Sequence, residues 1–455
     1  MDEKTEKMIY KTLNTFPKGG IHPPEHKLTK DAPIKPLPIP KSVVIPVSQN
    51  LGAGSTPLVA KGDHVKTGQL IASASGFVSS NIHSSVSGVV SKIDTIIDVS
   101  GYRQSAIFID VQGDEWLETI DQSPDLITKI KLTPEQIIEK CKESGIVGLG
   151  GATFPSHVKL SVPKDKKCNV LIINGVECEP YLTSDHRLML EKGEETLVGI
   201  TILMKALNVE KALVGIENNK PDAIEHLKEL SKRFLGISIH DLNVKYPQGA
   251  EKQLIKTLTN KEVPSGKLPI ETGAVVHNVA TAYAVYEAVQ KNKPLFERIV
   301  TITGKSLSNS GNYLVRIGSS VSSLIEAAGG LPNDTGKIVS GGPMMGKAIQ
   351  NTNIPIVKGM SGIILLPISE STREENKPCI RCAKCTVACP MSLEPYLLAT
   401  ASMKSMFELA ENEKVTDCVE CGSCSYVCPA DRPLLDYIRL GKSTVLKMIR
   451  ERNIK

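Results

Sequence analysis

The stretch from Cys379 to Pro390 reads CIRCAKCTVACP, and it decides the fold of the last part of this chain. The same spacing returns from Cys418 to Pro429, which reads CVECGSCSYVCP. Both stretches follow the pattern Cys-x-x-Cys-x-x-Cys-x-x-x-Cys-Pro, which is typical of proteins that bind two 4Fe–4S clusters. Each cluster needs four soft thiolates, and tight turns between the cysteines can bring three of them together. The sequence therefore predicts two clusters in the C-terminal region.

The ligands of the two clusters can be assigned from the spacing, because the fourth cysteine of each run binds the other cluster in such pairs. Zinc sites and disulfides are the alternatives. Zinc sites use two separated pairs or mixtures of Cys and His, and they have no use for the final Cys-Pro. The predicted ligands are Cys379, Cys382, Cys385 and Cys428 for the first cluster, and Cys418, Cys421, Cys424 and Cys389 for the second. A chain with these ligands transfers single electrons.

The composition narrows the class of protein. A chain of 455 residues exceeds one ordinary core, so about three to four domains are expected. A net charge of +5 and an aromatic content of 4% argue against nucleic-acid binding. No stretch is long enough for a transmembrane helix, and the charged amino terminus, Met1–Lys7, lacks the apolar core of a signal peptide. Iron–sulfur clusters also favour a reducing compartment, so we expect a cytoplasmic chain, alone or docked on a membrane partner.

The first 130 residues predict an arm and a small β domain. Residues 1–40 are polar and rich in Pro, which favours an extended arm that wraps a neighbour. Residues 41–130 contain short β-branched runs between Gly-rich turns, and they resemble a biotinyl- or lipoyl-type barrel sandwich. Such carriers hold a modified lysine at the hairpin between the halves. Residues 74–80 stand there without a lysine, so we expect a structural module.

Three further domains are predicted downstream. Residues 131–300 alternate helix and strand, including one helix over 185–206, which favours a Rossmann-like parallel sheet with helices on both sides. Residues 301–370 return to short strands and turns, consistent with a small β-grasp domain of the soluble ligand-binding type. Residues 371–455 hold the cysteines and are mostly helical. The expected fold class is thus a multidomain α/β and β protein with a helical, ferredoxin-like C-terminal domain.

A second informative stretch runs from Gly148 to Lys159 and reads GLGGATFPSHVK. Consecutive glycines let backbone N–H groups approach an anion, and a following helix would add its positive end. The stretch fits neither the Walker loop nor the Gly-x-Gly-x-x-Gly dinucleotide pattern, and a tight turn without a ligand is the alternative. The predicted strand 169–174 leads directly into Glu177 and Glu179. Polar groups at the carboxyl end of a strand face the ligand crevice of an open α/β sheet, and a solvated turn is the alternative.

These segments resemble the flavin-bearing, NADH-oxidising subunit of respiratory complex I. The matching positions are 150–155, 174–180, 246–251 and 277–281. The resemblance implies non-covalent FMN and, as substrate, NAD(H). It implies that FMN contacts Gly148, Gly150, Lys159, Asn174, Glu177, Tyr246, Gly249 and Asn278, and that NADH contacts Phe154, Glu179 and Glu251. No residue is expected to act as a nucleophile or general base, because the hydride goes to the flavin.

The order of the segments resembles the C subunit of the Rnf electron-transport complex over essentially the full length. The arm carries PKGGIHPP from Pro17 to Pro24 and is followed by the sandwich, the flavin domain, the β-grasp domain and the clusters. The resemblance implies a peripheral subunit on the cytoplasmic face of the cell membrane. It would exchange hydride between NAD(H) and FMN and pass single electrons through the clusters. Its partners would be the other Rnf subunits and, indirectly, ferredoxin.

Two alternatives remain open at this point. The chain could be a soluble flavin and iron–sulfur reductase of the same broad family, such as a cobalamin reductase. It could also be a scaffold subunit with an inactive flavin site. The full-length order of domains favours the Rnf-type subunit, and the near-complete set of glycines and glutamates favours an active site.

Overall fold

The computed structural model describes residues 13–454. The charged amino terminus and the first part of the predicted arm lie outside the described residues. From residue 13 the arm runs over the other domains, and β1 (Ile34–Pro36) pairs in parallel with a strand of the third domain. The described part of the arm is therefore bound to the domains that follow it, and its last residues form a strand of a sheet.

The barrel-sandwich region consists of two antiparallel sheets that share one apolar core. One sheet has the strand order β2-β8-β7-β4 and the other β3-β5-β6. Fully buried Ile45, Ile71 and Ile109 meet in the core, because alternate residues of each strand face inward. The strands are β2 Ser42–Pro46, β3 Ser55–Pro57, β4 His64–Val65, β5 Leu70–Ala74, β6 Ile82–His83, β7 Gly88–Ile97 and β8 Arg103–Val111.

The second domain is a four-stranded parallel sheet with helices on both faces. The strand order is β11-β10-β9-β12, so the chain winds in one direction from β9 to β11 and then returns to the other side of β9. The elements are α1 Pro134–Glu143, α2 Ser156–Leu160, β9 Val170–Asn174, α3 Ser184–Glu191, α4 Gly193–Leu207, β10 Ala212–Glu217, α5 Pro221–Ser231, β11 Ile237–Leu242, α6 Glu251–Thr259, a short 3-10 helix Pro269–Thr272, β12 Ala274–Asn278 and α7 Val279–Gln290.

Burial on both faces of this sheet explains the apolar strand 170–174. Leu171 and Ile173 pack into the core that includes α4 and α7, whereas Ile172 joins the opposite core with Leu254 and Ile255 of α6. The single helix predicted over 185–206 is wrong. The helix is interrupted at Lys192, whose φ of −132° and ψ of 33° are not helical, and α4 restarts at Gly193, next to the side chains of His226 and Leu230 of α5.

The third domain has a six-stranded mixed sheet in the order β1-β14-β13-β17-β15-β16. Its first strand begins at Glu297, so the boundary expected at residue 300 falls within a strand. The elements are β13 Glu297–Thr303, β14 Gly311–Arg316, α8 Val321–Ala327, β15 Thr335–Ser340, β16 Lys347–Ile349 and β17 Gly362–Pro367.

The C-terminal domain repeats itself in structure as well as in sequence. Cys418 follows Cys379 by 39 positions, and the same interval separates three pairs of residues with left-handed backbone, Arg381 and Glu420, Ala383 and Gly422, and Ser392 and Asp431. The short helix α9 Ile368–Ser371 still packs on β15 and β17 of the third domain. The helices of the C-terminal domain are α10 Lys384–Ala388, α11 Pro395–Met403, α12 Phe407–Asn412, the 3-10 helix Val415–Asp417, α13 Ser423–Tyr426 and α14 Leu434–Ile454. Across residues 13–454, no helix combines the length and apolar character needed to cross a bilayer.

Candidate functional site

The parallel sheet has a topological switch point between β9 and β12. The connection after β9 leads to β10 on one side, whereas β12 lies on the other side of β9. Ligands of open α/β sheets bind in the crevice beyond the carboxyl ends of strands at such a point. Asn174 ends β9 and Asn278 ends β12. The Asn278 side chain donates to the Asn174 carbonyl at 3.3 Å, and the Asn174 side chain donates to the Gly249 carbonyl at 2.8 Å. Three residues predicted to bind FMN therefore meet at the crevice.

The Gly-rich loop lies beside this crevice. It closes on itself through hydrogen bonds from Gly148 N to the Phe154 carbonyl at 2.9 Å and from Thr153 N to the Gly148 carbonyl at 3.1 Å. A side chain on Gly150 would meet that of Asn278 at 3.4 Å. Within the described chain, the N–H groups of residues 150–152 have no hydrogen-bond acceptor, and these residues are exposed. The loop thus offers open donors to an anion or a polar ring.

Lys159 extends from α2 into the same region. Its ammonium group contacts the Glu251 carboxylate at 2.8 Å and the Val276 carbonyl at 3.0 Å. Both side chains of this ion pair are partly exposed. Lys159 is a predicted contact of FMN and Glu251 a predicted contact of NADH, and the structure brings them together at the edge of the crevice.

The Glu177 side chain stabilises the start of α3. Its carboxylate accepts hydrogen bonds from the backbone N–H groups of Asp185 at 2.7 Å and His186 at 3.1 Å, at the start of α3. A carboxylate stabilises a helix N-terminus in this way. Asp185 in turn accepts a hydrogen bond from the Asn278 side chain at 2.6 Å. Glu177 therefore supports the crevice through α3.

Glu179 faces the third domain and the cluster domain. Its carboxylate accepts from the backbone N–H groups of Met344 at 3.0 Å and Met345 at 2.8 Å, and the Tyr246 hydroxyl lies 3.5 Å away. Burial raises the pKa of Glu179 to about 7. The Tyr246 hydroxyl donates to the Cys421 carbonyl at 2.8 Å. Tyr246, a predicted contact of FMN, is thus hydrogen-bonded directly to the loop of the second cysteine run. Phe154, another predicted NADH contact, is half-buried in the Gly-rich loop.

The second set of predicted cluster ligands surrounds one apolar pocket. Cys389, Cys418, Cys421 and Cys424 line it together with leucine and isoleucine side chains. The Cys418 sulfur accepts a hydrogen bond from Glu420 N at 3.3 Å, and the Cys389 sulfur accepts from Leu393 N at 3.4 Å. Burial raises the pKa of Cys418 and Cys424 to about 12, so these thiols would need bound iron to become thiolates. Cys389 thus lines the same pocket as three cysteines of the other run, and its role as a ligand of the second cluster stays a prediction.

The first set of predicted cluster ligands is more exposed to solvent than the second. Cys379 and Cys382 are exposed, whereas Cys385 and Cys428 are half-buried. Arg381 N donates to the Cys379 sulfur at 3.4 Å, as Glu420 N does to Cys418 in the other half of the repeat. Within residues 13–454, no three His, Cys, Asp or Glu side chains lie close enough to hold a single metal ion.

Arg298 belongs to the site, and no signal in the sequence points to it, because it lies in β13 of another domain. Only 4% of the residue is exposed. Its guanidinium donates to the Leu149 carbonyl at 2.6 Å and to the Met360 carbonyl at 2.9 Å. Its Nη1 is buried and has no hydrogen-bond partner among the described residues. Arg298 therefore binds the Gly-rich loop through Nη2, while the two N–H groups of its Nη1 have no acceptor within residues 13–454.

Family models match all four regions of the chain. The Nuo51 FMN-binding domain matches residues 141–287, and the RnfC barrel sandwich hybrid domain matches residues 15–114. The SLBB domain matches residues 299–348, and a 4Fe-4S dicluster domain matches residues 371–429. These matches define a flavin and iron–sulfur protein for electron transfer, and they confirm the predicted cofactors, FMN and 4Fe–4S clusters.

Curated relatives extend over nearly the whole chain. The C subunit of the proton-translocating ferredoxin:NAD(+) oxidoreductase complex of Clostridium ljungdahlii is 49% identical over 95% of this chain and 94% of the relative. The C subunit of the Na(+)-translocating complex of Acetobacterium woodii is 43% identical over 96% and 98%. The C subunit of the ion-translocating oxidoreductase complex of Rhodobacter capsulatus is 42% identical over 86% and 76%. The chain belongs to this family of C subunits, the Rnf family predicted from its sequence.

A solved structure is similar over part of the chain. The NAD+-reducing NiFe-hydrogenase in the H2-reduced state aligns over 69% of this chain and 63% of that chain, with 16% identity and a TM-score of 0.49.

The side chains and backbone of the crevice suit FMN, which combines an anionic phosphate with a polar ring. Open N–H groups at residues 150–152 and the ammonium of Lys159 supply donors and positive charge. The unused Nη1 of Arg298 adds a buried cationic group behind the loop. This donor set fits the cofactor that the family match assigns.

Replacing Arg298 with Lys keeps the positive charge but removes the planar fork that reaches Leu149 and Met360 together. We expect FMN to bind roughly 10-fold more weakly, because the Gly-rich loop loses a buried, charge-assisted hydrogen bond. Fluorescence titration of the deflavinated protein with FMN measures the effect. Arg233→Lys is the matched control, since Arg233 forms an exposed ion pair with Glu194 in the flavin domain. Equal FMN affinities for the two variants would contradict this role for Arg298.

Proposed function

We propose that this chain is the NAD(H)-side subunit of an ion-translocating ferredoxin:NAD oxidoreductase complex. It exchanges hydride with NAD(H) and passes single electrons to the rest of the complex, in either direction. The chain is peripheral to the cell membrane, on its cytoplasmic side. Its partners are the other subunits, and ferredoxin reacts through one of them. The names of the similar relatives, and the direct link between the crevice and the second cysteine set, support this proposal.

The residues of the crevice have distinct tasks in the proposal. Bound FMN would supply the conversion between a two-electron hydride and single electrons. The loop glycines, Gly148 and Gly150, and Lys159 would hold its phosphate side, while Asn174, Gly249 and Asn278 would hold it at the strand ends. Phe154, Glu179 and Glu251 would seat NADH, with the ring of Phe154 available for stacking.

Tyr246 carries the connection from the crevice to the clusters. Its hydroxyl bridges the region of Glu179 and the carbonyl of Cys421, a ligand of the second set. Tyr246 is 2% exposed, so this hydrogen bond lies in the interior of the protein. In this proposal the second set lies next to the flavin side, and the exposed first set, with Cys379 and Cys382, faces a partner protein of the complex.

Replacing Glu179 with Gln tests the assignment of the NADH side. Glutamine keeps the size of the side chain, but its NH2 group cannot accept a hydrogen bond, so one of the two bonds from Met344 N and Met345 N is lost together with the negative charge of the ionised form. We expect NADH oxidation with an artificial acceptor to fall about 10- to 100-fold, because charge-assisted contacts to NADH are lost. Iron, sulfide and FMN contents are expected to stay at the level of the unmodified chain.

Glu225→Gln is the control for this experiment, because Glu225 is exposed on α5 of the same domain. It should leave NADH oxidation unchanged. Unchanged NADH oxidation in the Glu179 variant, with full cofactor content, would overturn the placement of NADH at this turn.

A further inference from the structure

The arm that precedes β1 follows a route that the proposed function does not require. Its Asn14 carbonyl accepts a hydrogen bond from Asn243 N at 3.0 Å, next to β11. The Phe16 ring is 1% exposed, and the Lys245 ammonium lies 4.3 Å from the ring centroid. Farther along, the arm enters the sheet of the third domain as β1. Between these two anchors lies the motif Pro17–Pro24.

This motif crosses the backbone of a predicted cluster ligand. Gly20 N donates to the Ala388 carbonyl at 2.9 Å. A Cβ atom on Gly19 would lie 2.5 Å from the carbonyl carbon and oxygen of Cys389 and 2.6 Å from Pro390 N. Gly19 also has a φ of +65°, which a side chain disfavours. Only glycine can pass this close to Cys389.

The next residue, Ile21, fills the junction between the flavin domain and the cluster domain. Its backbone exchanges two hydrogen bonds of 2.9 Å with Tyr246. Its side chain is 6% exposed and packs in one apolar cluster with Tyr246, Ala388 and Cys421. Cys389 and Cys421 both belong to the second ligand set. The arm therefore covers this set from the side that faces the flavin domain.

Six residues later, the same arm binds the flavin turn, residues 175–182, which follows β9 and carries Glu177 and Glu179. The Lys27 ammonium donates to the carbonyls of Glu177, Glu179 and Leu182 at 2.8, 2.9 and 2.7 Å. Three carbonyl acceptors around one ammonium fix the path of a turn that lacks regular secondary structure. One short segment is thus bound both to the predicted flavin turn and to the predicted cluster loop.

We propose that the arm segment Pro17–Lys27 is a lid that seals the second cluster from solvent and fixes its position relative to the flavin turn. The proposal rests on the proposed function, because it takes the clusters and FMN as bound. The apolar shell around a metal centre controls solvent access and redox potential. A lid made by a distant part of the chain would therefore protect the cluster through which electrons pass between the two domains.

Gly19→Ala tests the lid, because the added methyl group must push the arm away from Cys389. Gly62→Ala is the matched control, since Gly62 has a φ of +95° but nothing within 4 Å of its Cβ position. Both variants are purified without oxygen and then exposed to air, and the iron, sulfide and EPR signals of the reduced clusters are followed over time. We expect the Gly19 variant to lose one of its two clusters about 10-fold faster than the control, at unchanged FMN content.

Ile21→Ala provides a second test without backbone strain, with Leu235→Ala as its control because Leu235 is 98% exposed. Faster loss of one cluster in the Ile21 variant supports the lid even if Gly19→Ala fails to fold. Equal rates of cluster loss in the Ile21 variant and its control would overturn the proposal. If the unmodified chain itself takes up no clusters, the proposed function fails instead, so the two failures are distinguishable.

Discussion

Cys389→Ser is expected to remove the second cluster and to leave the first intact, although Cys389 belongs to the first run in the sequence. Its sulfur lines the pocket with Cys418, Cys421 and Cys424. Serine oxygen is a harder ligand than thiolate and is poorly suited to iron in such a cluster. We therefore expect loss of about half of the bound iron and sulfide, and loss of one of two EPR signals.

The crossed pairing can be tested by comparing variants. The EPR spectrum of the reduced Cys389→Ser protein should match that of Cys421→Ser and differ from that of Cys382→Ser. The reciprocal variant, Cys428→Ser, should match Cys382→Ser. Cys141→Ser controls for the loss of a thiol, since Cys141 is buried in the flavin domain, far in sequence from either run. A Cys389 variant whose spectrum matches that of Cys382→Ser would contradict the assignment.

Lys159→Gln is expected to yield protein with little or no FMN. The ammonium group is the partly exposed cation at the edge of the crevice, and it also pairs with the Glu251 carboxylate at 2.8 Å. Its removal takes away a charge-assisted contact and leaves the Glu251 carboxylate unpaired next to an anionic ligand. A loss of about 100-fold in FMN affinity is expected, since hydrogen bonds to charged groups are worth about 1.5–3 kcal/mol.

Titration of the deflavinated protein with FMN measures this loss, and Lys166→Gln is its control. Lys166 pairs with Glu271 at 2.9 Å in the same domain, away from the loop, so the two substitutions break similar ion pairs. The double variant Lys159→Gln, Glu251→Gln should recover part of the affinity, because the unpaired carboxylate is gone. Equal FMN affinity in the Lys159 and Lys166 variants would contradict the prediction that Lys159 contacts the FMN phosphate.

Much of the fold could be predicted because it depends on local signals. The cysteine spacing recurs with a 39-residue interval, and the left-handed residues between the cysteines recur with it. The alternation of helix and strand in the flavin domain follows apolar periodicity, and α1 begins with a capping box of Thr133 and Gln136, a local pattern of the sequence. Asn174 and Asn278 meet because both end strands that flank the switch point.

The features that could not be predicted depend on contacts between distant parts of the chain. Arg298 reaches the Gly-rich loop from a different domain, and nothing near it in sequence indicates a ligand. The N–H groups that hold Glu179 come from the loop at Met344 and Met345, far along the chain. The two glycines of the arm are typical of a flexible turn, yet Gly19 is needed for close passage over Cys389. Each of these contacts forms only when the separate domains pack against one another, so local sequence patterns do not indicate it.

The proposed path of electrons from NADH through FMN to the clusters can be followed in a single titration. The chain, purified without oxygen and with its FMN and clusters bound, is titrated with NADH while flavin absorbance and the EPR signals of the clusters are recorded. We predict that NADH bleaches the flavin absorbance and that EPR signals of reduced clusters appear in the same titration. A protein that holds FMN and both clusters, and yet shows no bleaching and no cluster signal with NADH, would contradict this path and would indicate a scaffold subunit with an inactive flavin site.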